Sequence, residues 1–195
     1  KIKQSFAFLT IEIFVTDFDK IDTDVINVTI SPHVHEIPDN IFIGFTNLTT
    51  ITIPFTVTKI GKNAFNGCSS LQYIYIPPTV TKIKHNAFIN CSLLNQVTIP
   101  SSITVIERCL FKGCSSLEKI NLPSELTMIE EHAFEGCASL KEIEIPSHVF
   151  SIGKYAFCGC ISIKQIIIPF GVKTINDYTF DNCSSMISFE IPSNV

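Results

Sequence analysis

The sequence predicts an α/β repeat solenoid with a parallel strand ladder and a period of twenty-three residues. Two columns of residues at that interval support this prediction. The first consists of phenylalanines, without insertion or deletion, at Phe42, Phe65, Phe88, Phe111, Phe134, Phe157 and Phe180. The second lies three residues further on and holds Phe45, Cys68, Cys91, Cys114, Cys137, Cys160 and Cys183. Because one repeat is too small to bury such residues alone, the repeats are expected to stack and to bury them as continuous ladders.

Each repeat is predicted to contain one short strand that proline ends. The segment Leu71–Pro77 alternates as a strand does, with Ile74 and Ile76 on one side and Tyr73 and Tyr75 on the other. Proline ends the strand because it has no N–H to donate to the next ladder bond. If strands of successive turns pair in parallel at ~4.8 Å, about eight turns give a rod on the order of 38 Å long.

A tight corner is predicted immediately before the cysteine column. That position holds only glycine or asparagine, at Gly44, Gly67, Asn90, Gly113, Gly136, Gly159 and Asn182. Both residue types tolerate positive φ, so we predict a left-handed corner that closes a helical turn around Ala64–Asn66. The helical turn is the reason for the α/β class. Val80 and Ile83 are predicted to point inward from the return limb.

The two ends depart from the regular repeat. Residues 25–47 keep the apolar columns, but Asp22 and Ser31 stand where a cysteine and a strand-end proline are expected. We interpret residues 1–24 as an N-terminal cap with a degenerate repeat, and residues 25–195 as the solenoid, whose last repeat is incomplete. Because terminal repeats normally carry a polar cap, we expect either that the sequence stops inside a longer repeat array or that a second copy covers the apolar C-terminal end.

The pattern A-F-x-x-C-x-x-L-x-x-I-x-I-P-x-x-V-x-x-I is represented by Ala64, Phe65, Cys68 and Pro77, among others. It resembles the BspA-like, or Treponema pallidum-type, leucine-rich repeats over about residues 25–195. The resemblance implies a leucine-rich-repeat, right-handed superhelix that acts in adhesion and protein binding, with no shared catalytic residues. It also implies a cell-surface location, whereas a chain without a removed leader would be cytoplasmic.

The composition disfavours several classes of function. The net charge is −4, so there is no overall positive field to attract nucleic acid. No apolar run approaches the ~20 residues that cross a bilayer, so we expect no membrane insertion. No constellation of catalytic residues is apparent, and we predict neither an enzyme nor a cofactor. Residues 40–106 hold four lysines and no acid, which reflects either drift between repeats or a basic docking surface.

The cysteines and histidines offer little chemistry. The six cysteines of the repeat column are predicted to be small buried hydrophobic residues, since they share that column with Phe45 and a straight ladder lacks the tetrahedral arrangement of a zinc site. Cys109 and Cys158 lie in other columns and are predicted to be exposed thiols that react or link chains. Cys109 shares a column with His132, but no third group orients this pair, so no catalytic site is predicted.

The outward strand positions form the predicted binding surface. In a solenoid such positions make a continuous concave sheet, which is the usual place for a partner. The predicted partner-binding residues are Tyr73, Tyr75, Gln96, Thr98, Lys119, Asn121, Glu142 and Glu144. An alternative is that tyrosine and threonine are present only as good strand residues. The predicted partner is another protein, from a host or a second copy of the chain. The alternative function is a self-associating scaffold, a homodimer joined through an end or an edge.

Overall fold

The structure is a computed structural model that describes residues 10–13 and 21–195. It contains about seven turns of a parallel-strand solenoid with a period of about 23 residues, against the eight turns expected. Each regular turn contributes strand segments to two separate ladders on different sides of the solenoid. Most of the predicted N-terminal cap lies outside the described residues, so its structure stays a prediction.

The first ladder is the one that the sequence predicts, and it has strands of three or four residues. They are β1 (Thr10–Ile13), β2 (Asn27–Ile30), β4 (Thr50–Thr52), β6 (Tyr73–Tyr75), β8 (Gln96–Thr98), β10 (Lys119–Asn121), β13 (Gln165–Ile167) and β14 (Ser188–Glu190). Hydrogen-bonded neighbours are parallel, and they form three sheets, β1-β2-β4, β6-β8-β10 and β13-β14, with no pairing between β4 and β6 in the described residues. Between β10 and β13 the pairing is reduced to one isolated bridge, from Lys119 to Glu142. Thr10 pairs with Asn27, so the first described turn is shorter than the others.

The second ladder was not predicted as strand, although it coincides with the return limb. Its strands have two residues each: β3 (Glu36–Ile37), β5 (Lys59–Ile60), β7 (Lys82–Ile83), β9 (Val105–Ile106), β11 (Met128–Ile129) and β12 (Ser151–Ile152). They pair in parallel one repeat apart within two sheets, β3-β5-β7 and β9-β11-β12, and no pairing joins β7 to β9 among the described residues. The inward prediction for Val80 and Ile83 is confirmed, since both are buried. A two-residue strand is too short to show the alternation that identifies a strand in a sequence.

The predicted α/β class is wrong in its helical part. Residues Ala64–Asn66 form consecutive turns, and no helix occurs in residues 10–13 or 21–195. The turns hydrogen-bond to the next repeat: the N–H of Phe65 donates to the carbonyl of Ala87 at 2.8 Å. A backbone that donates between repeats cannot also form the i to i−4 bonds of an α-helix. It follows that the described part of the solenoid consists of strands and turns.

The core is a set of ladders that run along the solenoid, as predicted. The phenylalanine rings stack nearly parallel, with centroids 5.4 Å apart for Phe42 and Phe65 and 5.6 Å apart for Phe111 and Phe134. Phe42 through Phe157 are completely buried, and Phe180 is half-buried. Each repeat therefore buries its ring against the ring of the next, and burial of such a side chain contributes about 2 kcal/mol to stability.

The predicted left-handed corner is confirmed. Gly67 has a φ of 76° and Asn90 a φ of 60°, and the other members of the column are also positive. A second column with positive φ was not predicted: it holds Asn40, Asn63, Asn86, Cys109, His132, Tyr155 and Tyr178. In the sequence, only the three asparagines of this column indicate positive φ. Cys, His and Tyr seldom adopt this conformation, so their presence gives no such indication.

Candidate protein-binding surface

The outward side chains of the first ladder form one surface, which we call the strand face. Register places Tyr73, Gln96 and Lys119 on adjacent rungs, and the isolated bridge continues this row to Glu142. A parallel row contains Tyr75, Thr98 and Asn121. All eight residues predicted to bind a partner are exposed: Tyr73, Tyr75, Gln96, Thr98, Lys119, Asn121, Glu142 and Glu144. The structure therefore brings them together on one surface, as expected, because their side chains alternate with buried isoleucine and valine.

One region of the strand face is aromatic. Tyr73 is 47% exposed and Tyr75 is 42% exposed. Phe55, which the sequence reasoning missed, is 62% exposed, and its ring centroid lies 6.3 Å from that of Tyr75. Its signal was a phenylalanine directly after the strand-end proline, where Ser101 and Ser124 stand in other repeats. These three rings form an exposed amphipathic patch of the type that is enriched at protein interfaces.

Another region of the strand face carries charges without an ionic partner. Lys119, Glu142, Glu144 and Glu190 form no ion pair within 4.0 Å among the described residues. Two shallow depressions of about 460 and 680 Å³ adjoin this region, and Glu142 and Glu144 line both of them. The interrupted pairing between β10 and β13 lies at the same place. The surface there is indented, and it carries charges of both signs that form no ion pair among the described residues.

The side of the second ladder contrasts with this, because several of its charges are paired between repeats, although Lys82 of β7 forms no ion pair among the described residues. Lys59 lies 2.9 Å from Glu36, and Lys84 lies 3.0 Å from Asp39. The hydrogen bond from Lys84 lowers the pKa of Asp39, and the hydrogen bond to Glu36 raises the pKa of Lys59. Two of the four lysines in residues 40–106 are therefore compensated by acids of preceding repeats, so the basic docking surface considered from the sequence is not a patch of four free lysines.

The cysteine column is buried, as predicted, and has a hydrogen-bonding role that the sequence did not reveal. The thiol of Cys68 donates to the carbonyl of Phe42 at 3.1 Å, and the same bond recurs at each later member of the column. Cys183 is the half-buried member. Burial raises the pKa of Cys68 to about 12, so this thiol stays protonated and able to donate. All eight cysteines are free.

The surroundings of the two remaining thiols and of His132 disfavour a nucleophilic centre. Cys109 and Cys158 are partly exposed, less open than predicted, and burial raises the pKa of both thiols. His132 directs Nδ1 to Glu135 at 2.5 Å and stacks its ring on Tyr155, with centroids 4.9 Å apart. A raised thiol pKa disfavours the thiolate that a nucleophile requires. Within residues 21–195 no group of three or more His, Cys, Asp or Glu side chains is placed to hold a metal ion.

Comparison with known proteins agrees with this geometry. A family model described as the BspA type leucine rich repeat region, in six copies, matches residues 17–139 and 105–195. The chain belongs to this family. BspA-type repeats generally serve as protein-interaction or surface modules and are typically not catalytic. No curated protein matches the chain, and the described residues contain no helix long and apolar enough to span a bilayer.

Solved structures with the same repeat are similar to the chain. A leucine-rich repeat protein from Bacteroides ovatus is 29% identical with a TM-score of 0.66, and the match covers 76% of this chain and 44% of that one. The leucine-rich repeat protein of T. pallidum is 28% identical with a TM-score of 0.61, and 71% and 78% of the two chains are covered. The pneumococcal vaccine antigen PcpA shares the fold at 18% identity and a TM-score of 0.52, over 77% and 52% of the chains. This chain thus spans less than half of the Bacteroides protein.

Proposed function

We propose that the chain is a protein-binding module that holds its partner on the strand face. The observation that supports this best is that the strand face combines three exposed aromatic rings with charges that have no partner among the described residues. Exposed aromatic residues bury a large area at low entropic cost, and unpaired charges lose no ion pair on binding. Adhesion to a host protein is the setting that the family resemblance implies.

The aromatic patch provides the test. In Tyr73→Ala/Tyr75→Ala the affinity for a captured partner should fall at least about tenfold, since truncation of an interface hot spot commonly costs more than 1.4 kcal/mol. Capture from extracts of candidate host cells would be quantified for the wild type and the variant, with the melting temperature measured alongside. Unchanged capture by a stably folded double variant would rule out the strand face.

Two other tyrosines supply a matched control. Tyr155 and Tyr178 stack on each other, with centroids 4.9 Å apart, in the second column of positive φ and away from the strand face. The variant Tyr155→Asn/Tyr178→Asn removes the same number of rings and places there a residue that tolerates left-handed backbone. Its capture of the partner should equal that of the wild type.

Self-association is a second candidate function. Ile187, Ile191 and Val195 are exposed apolar side chains in the last repeat, with Ile187 84% exposed. A second copy of the chain that packs on them would bury this surface. Light scattering over a concentration series distinguishes the two proposals, because a monomer at every concentration would rule out self-association and leave the strand-face proposal untouched.

A further inference from the structure

The partner's chemistry is suggested by one aliphatic side chain that lies between two carboxylates on the strand face. Ile167 is 54% exposed, and its register partner on the next strand is Glu190. Glu144 occupies the same position one repeat earlier. The stacked phenylalanine rings of these repeats are 5.3 and 5.5 Å apart, so the carboxylate-bearing residues two repeats apart lie roughly 10 Å apart with the isoleucine between them.

Neither carboxylate is neutralised by a described residue. Glu144 and Glu190 form no ion pair in residues 21–195, and Glu190 accepts one hydrogen bond, from Nε2 of Gln165 at 3.3 Å. The lysines of this region lie toward the start of the strands. Lys119 is the first residue of its strand. Lys164 comes directly before the first residue of β13. Lys141 lies one repeat before Lys164 and is bound to Glu118 at 2.8 Å. The edge of the strand face near the last strand residues is therefore acidic, whereas the edge near the first carries both signs, with Lys119 beside Glu142.

A depression beside Ile167 supplies apolar surface next to the carboxylates. Its volume is about 680 Å³, and its lining includes Glu144, Ile145, Ile167 and the strongly exposed Ile187, together with Lys141 and Lys164. This volume is within the usual range for sites that accept a small ligand or a few side chains. An aliphatic side chain placed there would bury both isoleucines, and cationic groups beside it would meet carboxylates that have no competing partner.

We propose that this edge of the strand face recognises an extended polypeptide segment with basic residues on either side of an aliphatic one, a proposal that rests on the protein-binding function above. In an extended chain the residues i and i+2 point to the same side, about 6.5 to 7 Å apart. Lysine and arginine have long side chains that cover the remaining distance to Glu144 and Glu190 while their stems stay on apolar surface. Arginine would bind a carboxylate with two parallel hydrogen bonds.

Synthetic peptides on a biosensor test the proposal. Three matched probes are immobilised: arginine-serine-valine-serine-arginine, the same peptide with glutamate in place of arginine, and the same peptide with serine in place of valine. The first should bind at least about tenfold more tightly than either of the others, and its affinity should fall as salt is raised. Absence of binding to the first peptide, or equal binding of the acidic one, would overturn the proposal.

Variants of the chain locate the effect. Glu144→Gln/Glu190→Gln should weaken binding of the first peptide at least about tenfold, whereas Glu36→Gln/Glu131→Gln removes the same charge on the other side and should leave it unchanged. Equal weakening by both variants would mean a general charge effect and would overturn the site. If Glu144→Gln/Glu190→Gln instead abolishes self-association seen by light scattering, the occupant is a second copy and not a separate partner.

The failure of this inference differs from the failure of the proposed function. If Tyr73→Ala/Tyr75→Ala loses its partner while the peptides show no preference for basic residues, the strand face binds protein but the assigned chemistry is wrong. If the double tyrosine variant keeps its partner, the protein-binding proposal for the strand face fails. Preferential binding of the basic peptide would then show a peptide site that does not hold the captured partner.

Discussion

The strand face and the side of the second ladder are built on the same core, yet they treat charge differently. On the second-ladder side, acids and bases one or two repeats apart pair with each other, as Glu36 does with Lys59 and Asp177 with Lys154. On the strand face, Glu142 and Glu144 have no ion pair among the described residues. Surface ion pairs are worth about 0 to 1 kcal/mol each, so neither arrangement decides the fold. The difference instead indicates which side is available to a partner.

The largest expected effect concerns the core that both sides share. Phe111→Ala should reduce the free energy of unfolding by about 3 to 5 kcal/mol, because it removes a completely buried ring that stacks on Phe88 and Phe134 and leaves a cavity. Urea denaturation followed by circular dichroism measures this. Phe150→Ala, at a ring that is 54% exposed, should change the free energy by less than about 0.5 kcal/mol. Similar losses at the two positions would contradict the stacked core.

An intermediate effect should distinguish the two sides directly. Asp39 accepts hydrogen bonds from Nζ of Lys84 at 3.0 Å and from the N–H of Lys62 at 2.8 Å. Asp39→Asn should therefore reduce the free energy of unfolding by about 1 kcal/mol at neutral pH. Glu144→Gln on the strand face, which breaks no ion pair, should change it by less than about 0.5 kcal/mol. Urea titrations of both variants test the comparison, and equal losses would contradict it.

The pH dependence of the Asp39→Asn effect follows from the sign of its pKa shift. The pKa of Asp39 is lowered in the folded chain, mainly by the hydrogen bond from Lys84. The stabilisation is therefore fully present above the ordinary aspartate pKa of about 4 and is lost as pH falls through the lower folded-state pKa. The difference in the free energy of unfolding between wild type and Asp39→Asn should thus narrow as the pH falls from about 5 to about 2. A difference that persists at the acidic end would exclude the ionised carboxylate as its cause.

The smallest expected effect concerns the unpredicted column of positive φ. Cys109 has a φ of 53°, a conformation that asparagine tolerates better than cysteine does. Cys109→Asn should raise the free energy of unfolding by about 0.5 kcal/mol, since Asn40, Asn63 and Asn86 already occupy this column. Urea denaturation measures the gain. Ser101→Asn, an exposed position outside the columns of positive φ, should show none.

Much of the candidate site could be predicted because its side chains alternate with buried ones. Ile74 and Val97 are fixed inside, and Tyr73, Tyr75 and Gln96 must then point outward. Phe55 was missed because it follows the proline, where no alternation assigns it to a side. The ionic state of the surface was not predictable either, since the distance between Lys84 and Asp39 depends on rotamers and on how successive turns are offset.

The sequence by itself determined the period, the inward columns, the first ladder and the left-handed corner at glycine and asparagine. Each of these follows from a local requirement, such as burial, alternation or positive φ, that repeats in register. Only the tertiary structure decided that Ala64–Asn66 forms turns and not a helix, because the N–H groups of Asn63, Phe65 and Gly67 donate to the next repeat. It also decided the second ladder and the choice of which charges are paired. These features depend on contacts between repeats, and no single repeat carries a signal for them.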